Sequence, residues 1–142
     1  MLSDPRNPNM RDHINFNIKS REWCRPLTPV IHKNAVSEYF INYGDAPWMQ
    51  FVWPEREKYR AIIPSVTHID GSARVQTVSQ EENARLYLLI EKFADITNIP
   101  ILMNTSFNIK GQPIVETPGE AIQAFKESPI DVLVIGDFII EK

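Results

Sequence analysis

Residues 99–122 read IPILMNTSFNIKGQPIVETPGEAI, and this stretch decides the fold class. Ile99 to Met103 is a short apolar run of the length that forms a buried strand. Polar residues follow at Asn104, Thr105, Ser106 and Asn108. Thr117, then Pro118, then Glu120 is a helix start: a capping-box threonine with proline at the first helical position. Ile122 and Phe125 would face the core of that helix. Strand, polar turn and capped helix in succession belong to a chain that mixes both element types.

The pattern extends in both directions. Towards the C-terminus, 132–135 and 138–140 read as strands around Gly136-Asp137. Upstream, Ser79 followed by Glu82 predicts a helix to about residue 97, with Leu86, Leu89, Ile90, Phe93 and Thr97 at helical spacing. Before it, 65–69 and 73–78 read as two strands joined by the turn pair Asp70-Gly71. Eleven prolines cut the first half into short pieces. A short helix is expected over about 8–18, with Met10, Ile14 and Ile18 on one face. Pro26 and Pro29 hold 25–32 extended. Val36, Tyr39 and Phe40 suggest another short helix, and 48–53 a strand. The expected architecture is an α/β sandwich, with a twisted mixed sheet flanked by helices.

The chain of 142 residues is 43% hydrophobic and 23% charged, which fits one globular domain over 1–142 and excludes a disordered chain. No apolar run approaches the ~20 residues of a membrane span, and the N-terminus shows no hydrophobic signal region. The single cysteine, Cys24, cannot form an internal disulfide, so a cytoplasmic location is the default. Residues 1–33 carry Arg6, Arg11, Lys19, Arg21, Arg25 and Lys33 against Asp4, Asp12 and Glu22, a local positive excess in a chain of net charge −3. Such a field suits a small anionic ligand better than nucleic acid.

Three segments carry residues suited to chemistry. Lys19-Ser20-Arg21, with Arg25 beyond, would form a cationic clamp if extended, because side chains two apart share a strand face. On a helix the two would diverge, and alone the pair also reads as a solvated basic face. Asn104, Thr105, Ser106 and Asn108 lie just past a strand, where open α/β sheets bind ligands. The alternative is a polar turn that satisfies its own backbone. His68, Asp70, Arg74 and Gln76 surround the Asp70-Gly71 turn, as a second anion site or as a plain hairpin with an exposed arginine. His13, His32 and His68 show no metal-ligand spacing, so no metal site is expected within the chain. Cys24 reads as a small buried apolar residue. Trp48, Phe51 and Trp53 read as core rather than as base-stacking rings. There is no Walker loop and no G-x-G-x-x-G.

Taken together and in order, MLSDPR (1–6), IKSREWCRP (18–26), PSVTHIDGSARVQTV (64–78), IPILMNTSFNIKGQPIVETPGEAI (99–122) and VLVIGDFII (132–140) span nearly the whole chain. The set resembles the C-terminal domain of the nodulation and antibiotic-tailoring (NodU/CmcH) O-carbamoyltransferases. The resemblance implies a YrdC-like fold, whose Lys-x-Arg and Ser-x-Asn pairs match Lys19, Arg21, Ser106 and Asn108 here. It implies that this domain binds carbamoyl phosphate and ATP with Mg²⁺ and makes carbamoyl adenylate. Those four residues would be catalytic. Arg25, His68, Asp70, Arg74, Asn104 and Thr105 would bind substrate or nucleotide. An actin-like, iron-containing N-terminal domain or separate subunit would then carry out transfer to a hydroxyl acceptor. That domain is absent from this sequence, so full transfer by this chain alone is not expected, and self-association through the surface it would cover is. The alternative is a non-catalytic nucleotide- or anion-binding module derived from the same domain. An RNA-binding relative is disfavoured by the acidic pI of about 5.6.

Overall fold

The computed structural model describes residues 1–142. The chain forms two compact units, one of Leu2–Arg11 with Pro26–Thr105, the other of Met1, Asp12–Arg25 and Ser106–Lys142.

The first unit is built on a five-stranded mixed sheet. Its elements in chain order are β1 (Leu2–Ser3), the single turn α1 (Met10–Asp12), β2 (Thr28–His32), α2 (Val36–Tyr39), β3 (Phe51–Pro54), α3 (Glu57–Arg60), β4 (Ser72–Val78), α4 (Ala84–Thr97) and β5 (Ile101–Asn104). The strand order is β1-β5-β2-β4-β3. Only β2 and β4 run parallel; the other neighbours are antiparallel. Every residue of β2 is buried, as a central strand packed on both faces requires. Pro29 is tolerated because the ladder to β4 begins one residue later, at Val30. Helix α4 lies on the sheet through Ile90, which packs with Val30, Val78 and Leu102 and draws in Leu86 and Phe93.

The second unit begins with the π-helical segment His13–Ile18. It continues in α5 (Pro118–Glu127) and the antiparallel hairpin of β6 (Val132–Ile135) and β7 (Phe138–Glu141). Ala121, Phe125 and Leu133 form its core, with Phe107, Val115, Ile122, Ile130 and Ile135 packed around them. The capping box of α5 is present in both directions between Thr117 and Glu120, with Pro118 in the first turn. At its other end the Ser128 N–H donates to the Phe125 carbonyl, and the Lys142 ammonium donates to the carbonyls of Phe125 and Ser128.

The α/β class, mixed sheet and flanking helices are those the sequence implies. Four local expectations are corrected. Residues 65–69 are not a strand. The Ser65 hydroxyl donates to the Asn7 carbonyl, and the Thr67 hydroxyl binds the Glu55 carboxylate at 2.7 Å and the Ile63 carbonyl at 3.1 Å. These side-chain bonds hold a turn where a ladder was expected, and β4 pairs with β2 and β3 instead. The Ser79–Glu82 reciprocal bonds form, yet they close a turn. The helix itself starts at Ala84, with the Asn83 side chain accepting from the Leu86 N–H; Leu89 is exposed rather than core-facing. The third strand starts only at Phe51, because Met49 has a left-handed φ of 58°. There Trp53 is buried, whereas Trp48, 83% exposed, and Phe51 are not core residues. Cys24 is exposed as well. It lies in the turn closed by the Arg25 N–H on the Glu22 carbonyl.

Candidate functional site

The main candidate site lies within the second unit. Lys19 follows the π-helical segment, with its N–H on the Ile14 carbonyl at 2.9 Å. Ser20 then takes a left-handed φ of 44°, so 19–21 is neither strand nor helix. The chain turns instead around Asn15, which is fully buried. The Asn15 amide donates to the carbonyls of Trp23 (3.2 Å) and Arg25 (3.0 Å), and its Oδ1 accepts from Arg21 Nε at 2.8 Å. One asparagine thereby fixes the whole 21–25 loop. Sequence reading missed it; the only signal was a polar residue beside Ile14 on an otherwise apolar helix face.

Lys19 is 8% exposed. Its ammonium donates to the Ser106 carbonyl (2.7 Å), to Ser106 Oγ (3.0 Å) and to Asn108 Oδ1. Ser106 Oγ in turn donates to Asn108 Oδ1 at 2.7 Å, and the Asn108 amide donates to the Gln112 carbonyl at 2.8 Å. The Lys-x-Arg and Ser-x-Asn pairs therefore meet through Lys19. Burial, reinforced by the nearby Arg21 guanidinium, lowers the Lys19 pKa to about 8. An ammonium that is bonded yet easily neutralised gains most from an incoming anion. Lys19, Arg21, Arg25, Ser106 and Asn108 line one cleft of about 430 Å³ with a strongly polar wall. Its single acid is Glu22, ion-paired to Arg25 at 3.0 Å with both side chains largely exposed.

The remaining predicted residues belong to the first unit. Arg74, on β4, donates through Nε and Nη2 to Thr28 Oγ1 on β2, at 3.3 and 3.2 Å. Asn104, ending β5, donates to Gln76 Oε1 at 2.8 Å. Three neighbouring strands thus present a row of polar side chains. Thr105 follows that row in the chain and is partly buried. The His68–Ser72 turn closes with the His68 N–H on the Ser72 carbonyl at 2.7 Å, and Gly71 supplies a φ of +77°. Asp70 Oδ1 accepts from both the Ser72 N–H (3.0 Å) and the Ser72 hydroxyl (2.6 Å), bonds that lower its pKa. Because that hydroxyl proton is committed to Asp70, His68 Nδ1, 3.1 Å away, must be the protonated ring nitrogen. Burial first, and then Arg74 and Arg11, depress the His68 pKa against the pull of Asp70, so the ring is neutral. Its Nε2 is buried without a partner.

A cleft lined by the cations Lys19, Arg21 and Arg25 has the charge and donor geometry to hold an anion such as a phosphate group. No three His, Cys, Asp or Glu side chains gather to hold a metal ion. No helix is long and apolar enough to cross a membrane.

Comparison with known proteins shows the family. The family model described as "Carbamoyltransferase C-terminus" matches residues 1–142. Nodulation protein NolNO of Sinorhizobium fredii is 39% identical over 145 residues, covering 100% of this chain and 21% of the relative. Nodulation protein U of Bradyrhizobium diazoefficiens is 37% identical over 123 residues, 87% of this chain and 21% of the relative. An uncharacterized protein of Methanocaldococcus jannaschii is 35% identical across 100% of this chain and 23% of its own length. The chain thus spans about a quarter or less of these relatives. With the family model matched from the first residue to the last, the chain belongs to the carbamoyltransferase C-terminus family.

Proposed function

We propose that this domain binds carbamoyl phosphate and ATP and forms carbamoyl adenylate, as the activating part of an O-carbamoyltransferase. A separate N-terminal domain or subunit completes transfer to a hydroxyl acceptor. The observation that carries this reading is the buried Lys19 ammonium, held by Ser106 and Asn108 in a cleft lined by Arg21 and Arg25.

In this reading the phosphate of carbamoyl phosphate sits against Lys19, Arg21 and Arg25. Water cleaves it to carbamate and inorganic phosphate. A carbamate oxygen attacks the α-phosphorus of ATP, and the bond to the β-phosphate breaks, releasing pyrophosphate. Arg74, His68, Asp70, Asn104 and Thr105, all in the first unit, are the nucleotide-binding candidates of this reading. Ser106 and Asn108 orient the carbamoyl group, and a Mg²⁺ brought in on the nucleotide would supply charge neutralisation. No side-chain nucleophile is required; positioning and charge stabilisation carry the step.

The test is carbamoyl-phosphate-dependent release of pyrophosphate from ATP by the purified chain. Lys19→Ala and Ser106→Ala are each expected to lower it by roughly 10²–10³. If the folded chain binds neither ligand, with or without the N-terminal part of a longer relative, the reading fails. Binding of both without pyrophosphate release identifies a non-catalytic module instead.

A further inference from the structure

The cleft around Lys19 holds more cationic lining than Lys19, Arg21 and Arg25. Lys110 also lines it. Lys110 sits in a turn closed by the Gln112 N–H on the Ile109 carbonyl at 3.2 Å, with Gly111 at a φ of +72°. That turn is tied to the inner site, because the Asn108 amide that accepts from Lys19 donates at its other end to the Gln112 carbonyl. The two lysines differ in their commitments. Lys19 has three N–H bonds to the protein, whereas Lys110 is exposed and belongs to no ion pair of the chain. The cleft, about 430 Å³, is also roomier than a molecule the size of carbamoyl phosphate needs.

We infer that Lys110 forms a second, outer anion position in this cleft, which selects ligands with a second phosphate beyond the one held near Lys19. The inference rests on the reading of the cleft as a phosphate site. Its chemistry is that of a compact, mobile point charge. An ammonium on a turn can follow a terminal phosphate that differs between ligands, while the Asn15-anchored arginine loop stays fixed.

The experiment is calorimetric titration at constant ionic strength with inorganic phosphate and with pyrophosphate. The proteins are the unmodified chain, Lys110→Gln, Lys19→Ala and, as a control for net charge, Lys126→Gln on α5. Lys110→Gln is expected to weaken pyrophosphate roughly tenfold or more, as loss of a charge-assisted contact does, and to leave phosphate within about twofold. Lys126→Gln should change neither. Equal weakening of both anions by Lys110→Gln, matched by Lys126→Gln, would show only a diffuse field and overturn the inference. So would pyrophosphate binding unchanged by Lys110→Gln. If neither anion binds the unmodified chain, or Lys19→Ala leaves both unaffected, the reading of the cleft fails, and the inference with it.

Discussion

Lys19 shows how one side chain can organise a site before any ligand arrives. A surface lysine is a flexible point charge; this one is fixed by bonds to Ser106 and Asn108. Burial with Arg21 nearby lowers its pKa to about 8, so it is charged at neutrality and loses its proton above that value. Affinity for carbamoyl phosphate should therefore weaken as pH rises past about 8. In Lys19→Arg, where the group stays charged, that weakening should disappear; calorimetry across the range checks it.

Glu55 is the opposite case, a fully buried carboxyl. Its Oε2 accepts from the Thr67 hydroxyl, its Oε1 has no partner, and its pKa is raised to about 7, chiefly by burial. Thr67 and the nearby Arg60 pull the value down and Asp70 pushes it up. The folded state thus holds a proton that the unfolded chain gives up near the ordinary value of 4.5. The stabilising contribution is complete below the unfolded value and is lost as pH rises through the folded one. The melting temperature should include a fall between about pH 4.5 and 7, and Glu55→Gln should flatten it.

Among the elements, α4 bears the clearest mechanical load. Ile90 is fully buried between the helix and strands β2, β4 and β5. Ile90→Ala should cost about 2–5 kcal/mol, read from urea unfolding midpoints. The elements also show what local sequence carries. The capping box of α5 and the apolar β5 run were legible because each is specified within a few consecutive residues. The 65–69 turn was not, because Glu55 and Asn7 hold it from outside the segment. Lys19, Arg21, Ser106 and Asn108 were singled out by family resemblance; spacing alone left the pair reading as a solvated face. Asn15 escaped both readings, since its three partners become neighbours only after the loop has closed.

For the molecule as a whole, the β6–β7 hairpin bears most directly on assembly. Its inner face includes Leu133, buried beside Phe125. The outer pair Val134 and Ile139 faces each other across the ladder, 66% and 68% exposed, with Phe138 also exposed at the turn. A contiguous apolar surface of this kind favours association. Sedimentation of the isolated chain should show concentration-dependent self-association that Ile139→Lys reduces. A monodisperse monomer at all concentrations would refute this.

The strand order also has a consequence for how the protein is made. β2 lies between β5 and β4, yet both of its partners lie far downstream. At a synthesis rate of about 5–20 residues per second, β2 emerges from the ribosome seconds before the first of them. Until then its Pro29-Val30-Ile31 core is an unpaired, sticky ribbon. Nascent chains with β2 clear of the ribosome and β4 not yet clear should therefore be the forms that most need a chaperone.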